Sequence, residues 1–368
     1  LSKKMAAGLV VMCMMLSSVV GFGGGYLAAN RDSDTQTVAS ASQVSSSGLV
    51  NTALFSGSSL SVAQIAEMNQ DTVVEITTET VETNQMLRQV IQSGAGSGVI
   101  VSSDGYIATN HHVIENASKI TVRLHNGESY EATLVGTDAK TDIAVIKIKE
   151  SNLKAATIGS SADLQVGELA VAIGNPLGQL GGTVTDGIIS ALDRQITIDD
   201  TTMTLLQTNA AINPGNSGGG LFNGKGELIG IVNAKSSGEG VEGLGFAIPI
   251  DTAKDIIKQL TQYGYVKGRV DLGMSLVDVS NIQTAWIYRV GALGIYVQKV
   301  EQGSNAQKAG FQSGDRILAI DGTEVSSSSA LKQKLDHYQV GDSVTFTISR
   351  NGQTASLRMN LAEYVPSK

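Results

Sequence analysis

Between Thr72 and Ile250 the apolar positions fall into short β-branched runs, each closed by Gly, Asn or Asp. Val73-Val74-Glu75-Ile76-Thr77, Gly98-Val99-Ile100-Val101, Ile120-Thr121-Val122-Arg123-Leu124 and Ile143-Ala144-Val145-Ile146-Lys147-Ile148 are representative. Such runs predict the strands of an antiparallel barrel or sandwich, and periodicity does not choose between the two. At Asp251 the period changes. Ala253, Ile256, Ile257 and Leu260 share one helical face, which predicts an amphipathic helix to Tyr263 with Asp251 as its N-cap. Residues 264–268, Gly-Tyr-Val-Lys-Gly, read as a hinge. A second series of strands fills Leu272 to Leu361, broken by a helical stretch near Ser329 to His337. No repeat relates the two halves.

The N-terminal pattern differs. Met5 to Ala29 is a run without a charge, after Lys3 and Lys4 and before Arg31-Asp32-Ser33-Asp34. A helix of that length crosses a hydrocarbon core of roughly 30 Å. Lysines on its N-terminal side favour an inside N-terminus, so residues 1–30 are expected to anchor the chain with the remainder outside the cytoplasm. Cleavage as a signal peptide near Leu27-Ala28-Ala29 is the alternative and would yield a secreted protein; both readings export it. Residues 31–62, rich in Ser, Thr, Ala and Gln, predict a flexible linker. The expected folded units are then 63–266 and 268–365.

Composition narrows the picture. A chain of 368 residues, 42% hydrophobic, supports two cores. With 42 Gly, 4 Pro and 4% aromatics it favours tight turns between β-branched strands. A net charge of -8 leaves no basic footprint for a phosphate backbone, so nucleic acid is not an expected partner. The sole cysteine, Cys13, lies in the apolar run, so the exported part has no disulfide framework.

Candidate chemistry centres on Gly215-Asn216-Ser217-Gly218-Gly219. A serine in a glycine-dense turn is a candidate nucleophile, and the turn can aim the N–H groups of Gly215 and Ser217 at one point, as an oxyanion site requires. Asn216, between them, is grouped with this site. The pentapeptide also fits G-x-S-x-G of α/β-hydrolases, but those place Asp and His after the serine, and here only His337 follows. His111, His112 and His125 precede it. On extended backbone adjacent side chains point to opposite faces, so one of His111 and His112 can face Ser217. His125, in a hairpin-turn context, reads as a surface residue. HExxH-type spacing is absent, so no metal and no cofactor are expected. Asp142, opening an apolar strand, is the candidate orienting acid, with Asp138 as a competing turn residue. The order His112, Asp142, Ser217 is that of chymotrypsin-like double barrels.

On these residues the chain resembles the HtrA/DegP family of extracytoplasmic serine proteases. Gly96-Ser97-Gly98-Val99-Ile100, Thr109-Asn110-His111-His112-Val113-Ile114, Thr141-Asp142-Ile143-Ala144-Val145, Gly174-Asn175-Pro176-Leu177-Gly178, Ala210-Ala211-Ile212-Asn213-Pro214-Gly215-Asn216-Ser217-Gly218-Gly219 and Gly245-Phe246-Ala247-Ile248-Pro249 carry the likeness, which covers about residues 65–365. The resemblance implies a mostly β fold, with a chymotrypsin-like double β-barrel protease domain followed by a PDZ domain. It also implies His112 as base, Asp142 as orienter, Ser217 as nucleophile, and Gly215 with Ser217 as oxyanion donors. Asn209 and Gly220 depart from its common Asp and Pro.

Ala211 and Ile212 stand at the expected base of the primary specificity pocket. With no acid there, the pocket is expected to take small aliphatic side chains, which folded proteins hide, so unfolded polypeptides are the expected substrates. Ala309-Gly310-Phe311 through Ile320-Asp321-Gly322 resembles the family's PDZ domain. Leu272-Gly273-Met274 is by that pattern the turn that captures a peptide C-terminal carboxylate beside an added strand. Asp271 places a negative charge beside that turn. The resemblance further implies a homotrimer. The competing reading is a membrane-tethered holdase with minor hydrolysis. The complete His112, Asp142 and Ser217 set favours the protease.

Overall fold

In the computed structural model the first run of strands closes on itself, which settles the choice between barrel and sandwich. The structure describes residues 59–366, apart from 84–88, 175–181, 199–200 and 237–242. The predicted membrane segment, Cys13 and nearly all of the predicted linker lie outside the described residues. Among the described residues no helix is long and apolar enough to cross a membrane.

After helix α1 (Val62–Asn69), the strands β1 (Val73–Thr83), β2 (Gln89–Ile100), β3 (Tyr106–Asn110), β4 (Lys119–Arg123), β5 (Ser129–Asp138) and β6 (Ile143–Ile148) form one closed barrel in the order β1-β2-β3-β6-β5-β4. A short helical turn, α2 (His111–Ile114), follows β3 directly. The second barrel, ordered β10-β11-β12-β9-β8-β7, contains β7 (Leu169–Gly174), β8 (Thr183–Ile198), β9 (Thr201–Thr208), β10 (Gly220–Phe222), β11 (Leu228–Val232) and β12 (Gly245–Pro249). Helix α3 (Ile250–Tyr263) then packs across the back.

Side-chain alternation explains why β6, apart from Lys147, and β7 are apolar on both faces. Ala144, Ile146 and Ile148 fill the first barrel's interior, while Ile143 and Val145 face outward into a core shared by both barrels. In β7, Ala170 and Ala172 point into the second barrel and Val171 and Ile173 into the shared core. The apolar face of α3 seals that core with Ala253, Ile256, Ile257 and Leu260. Each fully buried Ile or Val contributes about 1.5–3 kcal/mol, so the two barrels are held as one body by ordinary hydrophobic burial.

One sequence expectation is corrected here. Asp251 is not the N-cap of α3: Pro249 occupies that position without a side-chain bond, and Asp251 lies in the first turn. Its carboxylate instead accepts the N–H groups of Ser161 (2.7 Å) and Ala162 (2.8 Å) and the Ser161 hydroxyl (3.0 Å), tying the helix to the loop before β7. The neighbouring Lys254 ammonium, assisted by those donors, holds the Asp251 carboxyl well below the usual carboxylate range against the opposing effect of burial. A depressed folded-state pKa adds stability above the unfolded value of about 4, and this stability is lost as pH falls from there. Asp251→Asn is therefore expected to lower unfolding stability by about 1–2 kcal/mol at pH 7. The difference should shrink steadily below about pH 4. Urea unfolding at pH 7 and pH 3 checks it, and an equal difference at both would refute the linkage.

The remaining strands form a separate core. β13 (Val270–Asp271) pairs with the last strand, β20 (Ala362–Glu363). A second sheet runs β14 (Met274–Val279), β15 (Gly294–Val300), β16 (Arg316–Ile320), β18 (Ser343–Arg350), β19 (Gln353–Asn360), with β17 (Thr323–Glu324) beside β16. Helices α4 (Ile282–Tyr288), α5 (Asn305–Ala309) and α6 (Ser328–Leu335) connect these strands. The core is built on Ile295, Val297, Ile317, Leu331 and an edge-to-face pair of Phe311 and Phe346 at 5.3 Å. β14 is the terminal strand of its sheet, and its Asp278 carboxylate accepts the N–H (2.9 Å) and hydroxyl (2.7 Å) of Ser328 at the start of α6.

This C-terminal unit touches the first barrel through charge pairs. Arg269 donates two bonds to the buried Asp138 carboxylate, from Nε to Oδ1 at 3.0 Å and from the guanidinium to Oδ2 at 2.5 Å. Lys140 pairs with Asp336. A cavity of about 450 Å³ opens beside these pairs, bordered by His111, Thr137, Val270 and Tyr364.

Candidate active site

The polar residues of interest meet where the two barrels abut. Asp142 sits in the turn between β5 and β6 with φ of +55°, a left-handed conformation that Asp tolerates better than most residues. That turn points its carbonyl and its carboxylate the same way. The carbonyl accepts the His111 N–H and the Asn110 side-chain amide, both at 3.1 Å. The carboxylate accepts the His112 N–H at 3.0 Å and, at 2.7 Å, lies against His112 Nδ1. An ionised carboxylate only accepts, so Nδ1 carries the proton and Nε2 is left as an acceptor. Ser217 Oγ lies 3.0 Å from that Nε2. The Ala234 N–H donates to the same Oγ at 3.1 Å, which leaves the hydroxyl proton directed at the imidazole.

His111 and His112 do point apart, but for a different reason than expected. They stand on the helical turn α2, not on extended backbone, so about 100° of helical rotation separates them. His112 turns toward Asp142 and Ser217, whereas His111 Nδ1 meets the Thr137 hydroxyl at 2.7 Å. His125 is exposed in the β4–β5 turn. Asp138, the competing acid, is occupied by Arg269 and by the Thr141 hydroxyl at 2.6 Å. Among the described residues no group of three or more His, Cys, Asp or Glu is placed to hold a metal ion.

The segment before Ser217 is a β-turn. Asn216 N–H bonds the Asn213 carbonyl at 3.0 Å, with Pro214 and Gly215 in the centre and Gly215 at φ +101°. Pro followed by a positive-φ residue is the type II arrangement, which needs Gly at the second central position. The turn corrects the inclusion of Asn216 among oxyanion donors, because its N–H is used to close the turn. Among the described residues the N–H groups of Gly215 and Ser217 have no such partner.

Ala211 is exposed and its carbonyl accepts the Thr185 hydroxyl at 2.8 Å; Ile212 is half-buried, its side chain against Gly245. The two departures from the family pattern have local explanations. Asn209 Oδ1 accepts the Ile188 N–H at 2.7 Å. At Gly220 an added Cβ would lie 2.4 Å from the Phe222 ring, so this bulky ring fills the space that a proline would need.

Asn233 escaped sequence reasoning. Its side-chain amide is buried and donates to Asp142 Oδ2 at 2.9 Å, beside the His112 bond to the same oxygen. It belongs to no motif and lies just after β11, so only the register of the second barrel brings it to the first.

In the C-terminal unit Gly273 has φ of +65°, as a tight turn requires, and its carbonyl accepts the Glu301 N–H. The Gly273 N–H, however, donates to the side chain of Asp271 at 2.9 Å. Leu272 is half-buried and Met274 buried against β15.

Two closed antiparallel barrels with a carboxylate, imidazole and serine hydroxyl in line at their seam define a chymotrypsin-like serine peptidase, and the chain is a serine-type endopeptidase carrying a PDZ domain. A family model described as a trypsin-like peptidase domain matches residues 96–231, and one described as a PDZ domain matches residues 270–361. The chain belongs to the HtrA family of serine proteases. It is 40% identical to the serine protease Do-like HtrB of Bacillus subtilis (strain 168), across 96% of this chain and 83% of that protein. It is 42% identical to the periplasmic serine endoprotease DegP of Escherichia coli (strain K12), across 73% of this chain but 57% of that one. Among solved structures, the HtrA-type protease AlgW with decapeptide aligns over 84% of this chain and all of its own, with 34% identity and a TM-score of 0.54.

Proposed function

We propose that this chain degrades unfolded exported proteins by cutting after small aliphatic residues through an acyl-enzyme on Ser217. The observation that carries the reading is the unbroken bond chain Asp142, His112, Ser217, at 2.7 and 3.0 Å. Ser217 Oγ attacks the scissile carbonyl carbon while His112 Nε2 takes its proton; Asp142 stabilises the imidazolium. The carbonyl oxygen, now negative, is met by the N–H groups of Gly215 and Ser217. His112 then returns the proton to the departing amine, and water, activated by the same imidazole, releases the acyl group. The family supports action outside the cytoplasm. Residues 5–29 would hold the chain at the membrane, residues 63–266 would form the protease and residues 268–365 the PDZ module, and the working unit would be a homotrimer.

Ile212 beside Gly245 supports a shallow apolar pocket suited to Val or Ala. A fluorophosphonate should label the enzyme once, with the adduct on Ser217 by peptide mapping. An adduct on another residue refutes the assignment.

The PDZ module binds peptide C-termini along the free edge of β14, facing α6. In this chain the Asp271 carboxylate already occupies the Gly273 N–H that a terminal carboxylate would take. Asp271→Ala should therefore tighten a peptide bearing a free carboxylate by about tenfold, equal to about 1.4 kcal/mol. The amidated peptide should be unaffected. Calorimetry with both peptides is the check, and equal gains for both exclude competition at Gly273.

A further inference from the structure

Helix α4 differs from the other helices named above in that none of its residues is buried. Its apolar side chains face water: Trp286 is 80% exposed, Ile287 76% and Ile282 70%. Leu293 lines one surface hollow with Ile282 and Trp286, and Tyr288 is also exposed on the helix. A contiguous patch of large apolar groups on a soluble domain marks a contact surface, and single scattered residues do not explain it. Trp286 is the only tryptophan of the chain.

The charge around this patch names the occupant. Residues 279–300 contain Arg289 and Lys299 and no Asp or Glu, in a chain whose net charge is -8. Arg289 caps α4 in a left-handed conformation, φ +55°, the place where glycine is the default, so a cation stands at the helix's negative end beside the patch. Asp278 and Glu301 bound this stretch, and between them no carboxylate of the segment opposes an anionic surface. Tryptophan, tyrosine and arginine around isoleucine and leucine are the side chains that settle at the boundary between headgroups and acyl chains. A bilayer is also within reach. The uncharged run ends at Ala29, and the roughly 30 residues from there to Ser59 span about 30 Å as a coil and about 100 Å at full extension.

We infer that α4 and the turn after it dock the PDZ module on an anionic membrane surface, with Trp286, Ile287 and Ile282 inserted at the headgroup boundary. The inference uses the membrane reading of residues 5–29 for proximity alone. Docking fixes the height and tilt of the module, and presents the β14 groove to chains emerging at that membrane.

The lone tryptophan makes the test direct. The full chain is reconstituted in vesicles of phosphatidylcholine and phosphatidylglycerol, with and without brominated acyl chains, and flotation is measured beside Trp286 emission. Flotation reports the anchor; emission reports the patch. The expected result is blue-shifted emission that brominated lipid quenches and pure phosphatidylcholine weakens. Ile287→Glu should remove the shift and the quench while casein hydrolysis in detergent stays at the wild-type rate. A chain that floats with unquenched, water-like Trp286 emission keeps its anchor and overturns the docking. A blue shift in lipid-free detergent that grows with protein concentration, or on adding casein, overturns it too, assigning the patch to a second copy or to client chains.

Discussion

Ser217→Ala is expected to lower kcat on casein or a short peptide by about a million-fold, to the rate that binding and oxyanion contacts alone sustain. The reason is local. On the proposed mechanism, removing Oγ deletes the attacking atom and leaves His112 Nε2 without a proton to accept. Folding should survive, since the loss inside the protein is one acceptor for the Ala234 N–H, worth about 1 kcal/mol. Peptide binding by the PDZ module should match wild type in the same preparation. Hydrolysis within tenfold of wild type would leave the seam of the barrels without a catalytic role.

Asp142→Asn should cost about ten thousand-fold in kcat with the fold retained. Asn tolerates the left-handed turn at position 142 as well as Asp does, so the backbone has no reason to move. The chemistry fails because the amide brings two N–H donors where only acceptors fit. Placed at Oδ2, the amide nitrogen faces both His112 Nδ1 and the Asn233 amide, and drives the imidazole to the tautomer whose Nε2 carries a proton. Placed at Oδ1, it opposes the His112 N–H. Steady-state kinetics with circular dichroism on the same samples check this. A rate near wild type would move the orienting role to another group.

Much of the strand pattern was legible because the barrel strands alternate between an interior and either a second apolar core, as in β6 and β7, or a polar, exposed face, as in β4. What periodicity could not show was closure. Ile143 and Val145 look like any buried strand residues, and only pairing β4 with β1 and β5 reveals that the sheet has no edge. Residue type, order and flanking glycine brought forward Ser217, Asp142 and the pair His111 and His112 as candidates, and only the family resemblance chose His112 over His111. Asn233 was not, because an asparagine after an apolar strand is the commonest of turn signals until three-dimensional register puts it against Asp142. Asp251 misled for a related reason: its position before a helical period is that of a cap, but the serines of a loop 90 residues away compete for its carboxylate. Asn216 misled because a β-turn consumes the N–H of one residue among three neighbours.

Because His112 and Asp142 belong to one barrel and Ser217 to the other, the order of synthesis matters to the cell. A chain made from its N-terminus has its first barrel complete well before position 217 appears, and the second barrel lacks its closing strand until residue 249 has emerged. Up to that moment Ser217 is not yet held opposite His112, so on the proposed mechanism the unfinished polypeptide is inert toward its neighbours and itself.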